Sequence, residues 1–292
     1  MAHTATAQVP SSQDVTFDGP DGPTITAKVA SGDEFSRSID IDGNWAIIGA
    51  WGEDGPSGQT SNSGAAYIFR RASDGSWQEI QTLRASNAES NDLFGSSVAL
   101  DGSRAVIGAR DEDGPSNGTT DAGAVYVFER QASGVWIETQ ILRASNAGSE
   151  DAFGQLAIDL DGNRVIVGAG FEDGPSNATT NGGAAYIFEL QTDGSWQEIQ
   201  ILRASNADEE DRFGEFDVVL AGDQAFVGAD EEDGPSNSFG NAGAVYVYNR
   251  QSDGSWQESQ ILRGSEASDP VGVYGDAFGQ AIVLSGNRLA IG

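Results

Sequence analysis

Short apolar runs separated by turns of glycine and aspartate recur along the whole of this chain. Within residues 94–152 there are four such runs, each with the length and composition of a β-strand. They are Ser96–Leu100, Arg104–Ala109, Ala124–Glu129 and Trp136–Ala144. The first two are joined by Asp101-Gly102, a dipeptide that tolerates positive φ and favours a tight hairpin. No window has the i, i+3, i+4 and i+7 apolar spacing of an amphipathic helix, so the pattern predicts an all-β chain.

The same pattern returns about every 60 residues. Three aromatic series mark it: a phenylalanine before the first run, a tyrosine in the third and a tryptophan at the start of the fourth. They are Phe35, Phe94, Phe153, Phe213 and Phe278; Tyr67, Tyr126, Tyr186 and Tyr246; and Trp77, Trp136, Trp196 and Trp256. A fixed period of this size is typical of solenoids, propellers and arrays, in which one unit cannot bury its apolar faces alone.

The third run indicates how the units pack. In Ala124–Glu129, alanine, tyrosine and phenylalanine alternate with valines, so both faces of the strand are apolar. A strand that is buried on both faces lies in the middle of a sheet covered above and below by other sheets. Four antiparallel strands per unit, packed face to face on the next unit, predict a β-propeller of four-stranded blades.

We predict five blades, the last of them closed by strands from both ends of the chain. Two strand-like runs follow Phe278, and two more, at residues 14–17 and 24–35, precede the first whole unit. Residues 1–14 are predicted to be a disordered lead. Residues 15–292 are predicted to be a single propeller domain, with blade repeats starting near residues 35, 94, 153, 213 and 278. The alternative is that the chain is a fragment of a longer protein.

Charge and composition exclude several classes of function. The formal net charge is −30, from 45 acidic and 15 basic residues, and such a field repels nucleic acid and anionic membranes. No apolar run approaches the roughly 18 residues of a membrane span, so no membrane insertion is expected. Cysteine is absent and His3 is the only histidine, which excludes a thiol nucleophile and a Ser-His-Asp triad in the propeller. Adaptation to a saline environment would also account for much of the charge.

The Phe-Gly dipeptide, the SVAL and IGA runs and the GAVYVF run together resemble the FG-GAP repeat family. The resemblance covers about residues 24–292 and implies the propeller fold of integrin α-subunits and of many bacterial surface proteins. In integrin-like repeats the loop between the first two strands often holds calcium. Here that loop is a two-residue Asp-Gly turn, so those calcium sites are not expected. The first copy also has Ser36 where the others have glycine.

The acidic residues concentrate in the loops between second and third strands and in the crossings between blades, which a propeller places on one face. In the Glu-Asp-Gly-Pro-Ser-Asn loops, carboxylate and amide oxygens could ligate calcium, the one cofactor the sequence suggests. The candidate ligands are Asp54, Asp113, Asn117, Asp121, Asp173 and Asp233. The alternative is a plain turn, in which proline restricts φ and the Asp and Ser side chains bond to nearby backbone.

Two further series have more than one interpretation. The aspartate two residues before each marker phenylalanine is expected to accept backbone N–H groups at the start of the inner strand. This series is Asp33, Asp92, Asp151, Asp211 and Asp276. The repeated tryptophans are either stacking platforms for sugars or covers for the edge of the outer strand. Trp45 and Trp51 occur in the first unit only, which makes them candidates for contact with a ligand.

These observations favour a non-enzymatic binding or adhesion module, extracellular or on a cell surface, that offers its acidic loop face to a protein, glycan or cation ligand. One alternative is a glycoside-cleaving propeller enzyme with paired carboxylates near the ring axis. Catalytic acids should break the repeat, and Glu215 and Asp217 do so, because other copies have serine or glutamine and valine or alanine there. A structural spacer in a larger surface protein is the third possibility. The oligomeric state is not predicted.

Overall fold

The computed structural model describes residues 13–16, 24–27, 32–234, 240–264, 276–286 and 288–292. Within these residues the regular structure is β-strand, apart from one 3-10 turn at Pro115–Asn117. The strands are β1 (Gln13–Thr16), β2 (Thr24–Ala27), β3 (Phe35–Asp42), β4 (Trp45–Ala50), β5 (Ala65–Arg71), β6 (Trp77–Leu83), β7 (Phe94–Asp101), β8 (Arg104–Ala109), β9 (Ala124–Arg130), β10 (Trp136–Leu142), β11 (Ile158–Asp161), β12 (Arg164–Ala169), β13 (Ala184–Leu190), β14 (Trp196–Leu202), β15 (Val218–Ala221), β16 (Gln224–Ala229), β17 (Ala244–Arg250), β18 (Trp256–Leu262), β19 (Ile282–Ser285) and β20 (Arg288–Ile291). The prediction of an all-β chain is confirmed.

Sixteen of these strands form four antiparallel sheets in chain order, named blades 1 to 4: β3–β6, β7–β10, β11–β14 and β15–β18. Two two-stranded sheets remain, β1–β2 and β19–β20. The first contacts β6 of blade 1 through β2, and the second contacts β15 of blade 4 through β19. In the described part of the chain these two sheets are not paired with each other, so closure of a fifth blade stays a prediction. Most of the predicted lead, residues 1–14, lies outside the described residues.

Apolar faces hold the blades together. The marker phenylalanine packs edge-on against the tyrosine of its own blade, with ring centroids 5.2 Å apart for Phe94 and Tyr126. In β9 the residues from Ala124 to Phe128 are all buried, which confirms that the third strand is covered on both faces. One continuous cluster combines Ile47 and Ile68 of blade 1 with side chains of blade 2, so each blade completes the core of the next. The period in the sequence therefore corresponds to stacked sheets.

A buried polar network also joins neighbouring blades. Glu112, in the loop after β8, accepts hydrogen bonds from both Nη2 and Nε of Arg143. Asn87, in the crossing from blade 1, donates to the same carboxylate at 3.1 Å and accepts from the Tyr126 hydroxyl at 2.8 Å. The same arrangement recurs as Glu172, Arg203, Asn146 and Tyr186, and as Glu232, Arg263, Asn206 and Tyr246. These loop glutamates are buried structural groups and do not belong to an exposed acidic face.

The glycine of each Gly-Ala pair at the end of the second strand is required by close contact between blades. A Cβ added to it would lie 1.9–2.1 Å from a backbone carbonyl oxygen of the next Phe-Gly dipeptide. The four contacts are Gly49 on Gly95, Gly108 on Gly154, Gly168 on Gly214 and Gly228 on Gly279. The contacted atom belongs to the backbone, so it cannot move aside as the end of a flexible side chain could.

We therefore expect Gly108→Ala to lower the free energy of unfolding by about 1–3 kcal/mol, because the extra methyl group forces blades 2 and 3 apart. Gly118→Ala is the matched control. Gly118 has φ −92° and its Cβ would meet a carbonyl at an ordinary 3.4 Å, so this change should leave stability almost unaltered. Urea unfolding of both variants measures the difference, and equal midpoints would contradict the inter-blade explanation.

Candidate functional site

Four of the six predicted calcium ligands occupy equivalent positions in the loops between second and third strands: Asp54, Asp113, Asp173 and Asp233. Each aspartate of the Glu-Asp-Gly-Pro turn accepts the backbone N–H of the residue eight positions later, at 2.9–3.0 Å. The pairs are Asp54 with Asn62, Asp113 with Asp121, Asp173 with Asn181 and Asp233 with Asn241. Asn117 Nδ2 donates to Glu89 of the neighbouring crossing at 2.7 Å. The four aspartates therefore close their own loops, whereas Asn117 joins its loop to the crossing.

The loops and crossings share one face, as predicted, since Glu150 N donates to Thr120 O at 2.9 Å. Asp121 lies near Asp113 and Glu150, and burial together with these two acids raises its pKa. However, among the residues that the structure describes, no three His, Cys, Asp or Glu side chains are grouped so as to hold a metal ion. Calcium binding by these loops stays a prediction without a converging ligand set.

Three of the aspartates before the marker phenylalanines, Asp92, Asp151 and Asp211, do accept backbone N–H groups. The donors lie three residues earlier, in the crossing, and not at the start of the inner strand: Asp92 accepts from Glu89 N at 2.7 Å and Asp151 from Gly148 N at 2.6 Å. Burial raises the pKa of Asp92 and of Asp151 to about 6. For Asp211, which accepts from Asp208 N at 2.8 Å, burial raises the pKa to about 7.

Three of the repeated tryptophans, Trp136, Trp196 and Trp256, are buried. Gln81 of the preceding blade brackets Trp136: its amide nitrogen donates to Trp136 O at 2.8 Å, and its amide oxygen accepts from Trp136 N at 2.9 Å. These rings are therefore covered parts of the inter-blade packing and offer no face on which a sugar could stack.

The two tryptophans peculiar to the first unit lie at opposite ends of one strand. Trp45 begins β4, at the hairpin end of blade 1, and Trp51 directly follows it, at the end with the acidic loops. The guanidinium groups of Arg37 and Arg110 lie 5.6 and 5.4 Å from the centre of the Trp51 ring. The sequence grouped the two tryptophans as one ligand face, but they belong to different surfaces.

Trp51 lines a cavity where the inner strands of three blades converge. Blade 1 contributes Arg37 and Trp51, blade 2 contributes Ser96 and Arg110, and the segment before β11 contributes Gln155 and Leu156. Arg110 and Gln155 also line an adjoining groove of about 330 Å³, together with Asp111, Asp121, Glu150, Ala152 and Phe171. The cavity and this groove are named the inner-strand groove below.

The residues around this groove occupy positions at which the repeats differ. Two places after the marker phenylalanine the chain has Arg37, Ser96, Gln155, Glu215 and Gln280. Directly after the Gly-Ala pair it has Trp51, Arg110, Gly170 and Asp230. Because the flanking residues are nearly constant, these two positions give each blade its own chemistry at a common end of the sheets.

Blade 4 brings three carboxyl groups together there: Glu215, Asp230 and Glu231, named the blade-4 acid cluster. Arg212 Nη1 lies 3.4 Å from Glu215 and 3.1 Å from Glu231. Glu215 is only 6 % exposed, and its burial raises its pKa to about 6; Asp230 and Glu231 also raise it, while Arg212 opposes them. Burial likewise raises the pKa of Asp230 and of Glu231.

Two further contacts place this cluster beside the inner-strand groove. The Arg212 guanidinium lies 5.3 Å from the centre of the Phe171 ring, which lines the groove. Gly170 makes room for Glu215, since a Cβ on Gly170 would lie 2.5 Å from Glu215 Cβ. Because burial raises the pKa of Glu215 to about 6, the arrangement can hold a protonated carboxyl group beside two further carboxyl groups in mildly acidic solution.

Asp217, the other acid that breaks the repeat, has a different neighbourhood. Its Oδ2 accepts from Ile282 N at 2.6 Å, on the inner strand β19. Asp40 and Asp159 do the same for Leu100 N and Leu220 N. These aspartates satisfy the exposed backbone edge of the next inner strand. Sequence reasoning missed Asp230 and Glu231 as neighbours of Glu215, although Asp230 stands where other blades have tryptophan, arginine or glycine.

The comparison with family models follows the same repeats. The FG-GAP repeat model matches residues 24–69, 77–128, 136–188 and 196–248, which is most of the chain. This chain belongs to the FG-GAP repeat family. The resemblance to the FG-GAP repeat family, predicted from the sequence, is thus confirmed. The comparison with curated proteins found no match.

Solved structures show the same fold at low identity. The FG-GAP repeat protein is similar to a protein from Lactobacillus plantarum, at 15% identity and a TM-score of 0.50, over 82% of this chain and 60% of that one. It is also similar to the periplasmic gluconolactonase of Pseudomonas aeruginosa, at 14% identity and a TM-score of 0.55, over 94% of this chain and 69% of the other. The chain thus spans under two thirds of the first of these proteins.

The gluconolactonase comparison contradicts the prediction of a non-enzymatic adhesion module, because this protein of similar fold is an enzyme. The prediction that the chain is not an enzyme is corrected with it, and the carbohydrate-active alternative agrees better with the finding.

None of the described residues forms a helix with the length and apolar character that a bilayer crossing requires.

Proposed function

We propose that this FG-GAP repeat protein is a carbohydrate-active hydrolase, with Glu215 as its proton donor. The observation that supports this most directly is the blade-4 acid cluster: a buried carboxyl group whose pKa is raised to about 6, beside two further carboxyl groups and a groove. Perturbed carboxyl groups in a cleft are typical of acid–base sites. The fold shared with a gluconolactonase points to a sugar lactone or a glycoside as substrate.

The proposed step is hydrolysis of a C–O bond at a sugar ring. Glu215 donates its proton to the departing oxygen, either a glycosidic oxygen or the ring oxygen of a lactone. Water adds to the carbon that loses this oxygen, and the proton of that water passes to the Asp230 carboxylate. Two carboxyl groups in different surroundings can divide the acid and base roles in this way. Arg212 holds Glu215 and Glu231 in place.

The inner-strand groove is the proposed substrate site. Phe171 and Trp51 offer aromatic surface, while Gln155 and Arg110 offer hydrogen-bond donors for sugar hydroxyl groups. A groove of about 330 Å³ falls within the range of small-molecule sites. The tryptophan predicted from the sequence as a ligand contact on this face is therefore Trp51.

The proposal includes the architecture around the site. We propose that the β1–β2 and β19–β20 sheets combine into a fifth blade, since they flank blades 1 and 4. A closed ring would surround the groove with five inner strands. The proposed location is extracellular or periplasmic, which is supported by the periplasmic protein of similar fold.

The test is hydrolysis of glucono-1,5-lactone and of a panel of aryl glycosides by the wild type and by Glu215→Gln. Loss of a general acid should lower kcat by about 10²–10⁴-fold on whichever substrate is cleaved. Wild-type activity should fall above about pH 6, where Glu215 loses its proton. Glu209→Gln, an exposed acid on the crossing before blade 4, is the matched control and should keep full activity.

Two results would overturn the proposal. One is that the wild type hydrolyses none of these substrates. The other is that Glu215→Gln and Glu209→Gln cleave a substrate at the same rate, which would show that the Glu215 carboxyl group takes no part in the reaction.

A further inference from the structure

The hairpin end of blade 1 differs from that of blades 2 and 3 at two positions at once. In blade 2 the first residue of the second strand pairs with a residue of the third, Arg104 with Glu129 at 3.2 Å. Blade 3 repeats this pair at the same distance, with Arg164 and Glu189. Blade 1 has Trp45 and Arg70 at these positions, so a carboxylate has been replaced by a guanidinium group.

The change also alters the junction with blade 2. At the junction of blades 3 and 4, Arg250 pairs with Glu189 at 3.2 Å. Arg130 is the equivalent of Arg250, and its counterpart on blade 1 is Arg70 instead of a glutamate. Among the described residues neither Arg70 nor Arg130 forms an ion pair, and Arg130 Nε is buried without a hydrogen-bond partner. Two positive charges thus meet where another junction has an ion pair.

Both guanidinium groups lie against one aromatic ring. Arg130 Cζ is 4.4 Å and Arg70 Cζ 5.4 Å from the centre of Trp45, whose ring meets Trp136 edge-on at 6.0 Å. Cation–π contact holds the two side chains in place but does not neutralise them. They line an open cavity of about 460 Å³ with the turn residues Gln131, Ala132, Ser133 and Gly134.

Within the described part of the chain these two arginines have no ion-pair partner, although the formal net charge is −30. Like charges held at one site cost free energy, and an oxyanion between them would remove that cost through charge-assisted hydrogen bonds. The polar amide and hydroxyl groups of the turn are suited to the hydroxyl groups of a sugar. The general negative field repels free anions, so retention of an anion here requires the local geometry.

We propose that Trp45, Arg70 and Arg130 form a binding site for the carboxylate or sulfate group of an acidic saccharide. This site is separate from the proposed hydrolase site, because Trp45 and Trp51 lie at opposite ends of β4. Binding there does not depend on the chemistry of Glu215.

Calorimetric titration at low ionic strength tests the site with three probes: trigalacturonate, galactose 6-sulfate and inorganic sulfate. Neutral galactotriose is the negative control. We expect saturable binding of at least one acidic saccharide, and a loss of about tenfold or more in affinity for Arg130→Gln. Arg71→Gln removes the same charge from the exposed residue next to Arg70 at the end of β5, which does not line the cavity, and should bind as the wild type does.

A repair variant separates loss of binding from loss of folding. Arg70→Glu restores the residue type of Glu189, so it should pair with Arg130, raise Tm and abolish binding of the acidic saccharide. The proposal is overturned by binding of inorganic sulfate alone, by binding of no probe, or by equal losses of affinity in Arg71→Gln and Arg130→Gln. A saccharide that still binds Arg70→Glu would overturn it as well.

Discussion

Replacing Arg143 by alanine is expected to lower the free energy of unfolding by about 3–5 kcal/mol. Arg143 supplies both guanidinium hydrogen bonds to Glu112, whose side chain is 3 % exposed. Without the arginine, a buried carboxylate would keep only an amide donor from Asn87 and the Gly114 N–H. A buried charge that loses its partner is destabilising by much more than the net contribution of an intact pair.

The matched control is Glu129→Ala, which breaks the Arg104–Glu129 pair at 3.2 Å. Here both side chains are about one third exposed, so the expected loss is about 0–1 kcal/mol. Adding Glu112→Gln to Arg143→Ala should recover part of the stability, because a neutral amide needs no cation. Chemical denaturation measures all three variants. If Arg143→Ala and Glu129→Ala had the same small effect, the inter-blade network would not be a major source of stability.

The second large effect is a rise in stability on mild acidification, with Tm higher at pH 5 than at pH 8 by several degrees. Burial raises the pKa of Asp92, Asp151, Asp159 and Asp217 to about 6 and that of Asp211 to about 7. In the unfolded chain these groups titrate near 3.8. Between pH 4 and 7 the folded state therefore binds more protons, so stability increases as pH falls through this window.

The size of this stability change depends on the number of such carboxyl groups, because a pKa shift of one unit corresponds to about 1.4 kcal/mol of free energy. Scanning calorimetry at constant ionic strength measures the effect without a change in screening of the net charge. Asp211→Asn should flatten the pH dependence, because the amide oxygen can still accept from Asp208 N but no longer titrates. A Tm that is constant or lower at pH 5 would show that these carboxyl groups are not held at raised pKa values.

The candidate site was only partly predictable from the sequence. Glu215 was recognisable because it breaks the repeat, but it was paired with Asp217, its near neighbour in the chain. The structure turns Asp217 toward Ile282 N and places Asp230 and Glu231 beside Glu215. This choice depends on the packing of the inner strand against the loop after β16, which no local pattern encodes.

The function was wrongly predicted for a related reason. The regular series of loop acids predicts an exposed acidic binding face. In the structure, however, Glu112, Glu172 and Glu232 of this series are buried in ion pairs with arginines. The positions that differ between blades occur twice in each whole repeat and are far apart along the chain. They become a group only when the inner strands converge at the groove.

Strand positions, the sixty-residue period and the family were determined by the sequence alone, since alternating apolar residues and glycine turns act over a few residues. β8, predicted at Arg104–Ala109, has those bounds in the structure. Tertiary structure decided which acids are buried, which arginines lack a carboxylate and which repeat-breaking residues face one another. These properties depend on contacts between residues about sixty positions apart, and such contacts exist only after the blades have packed.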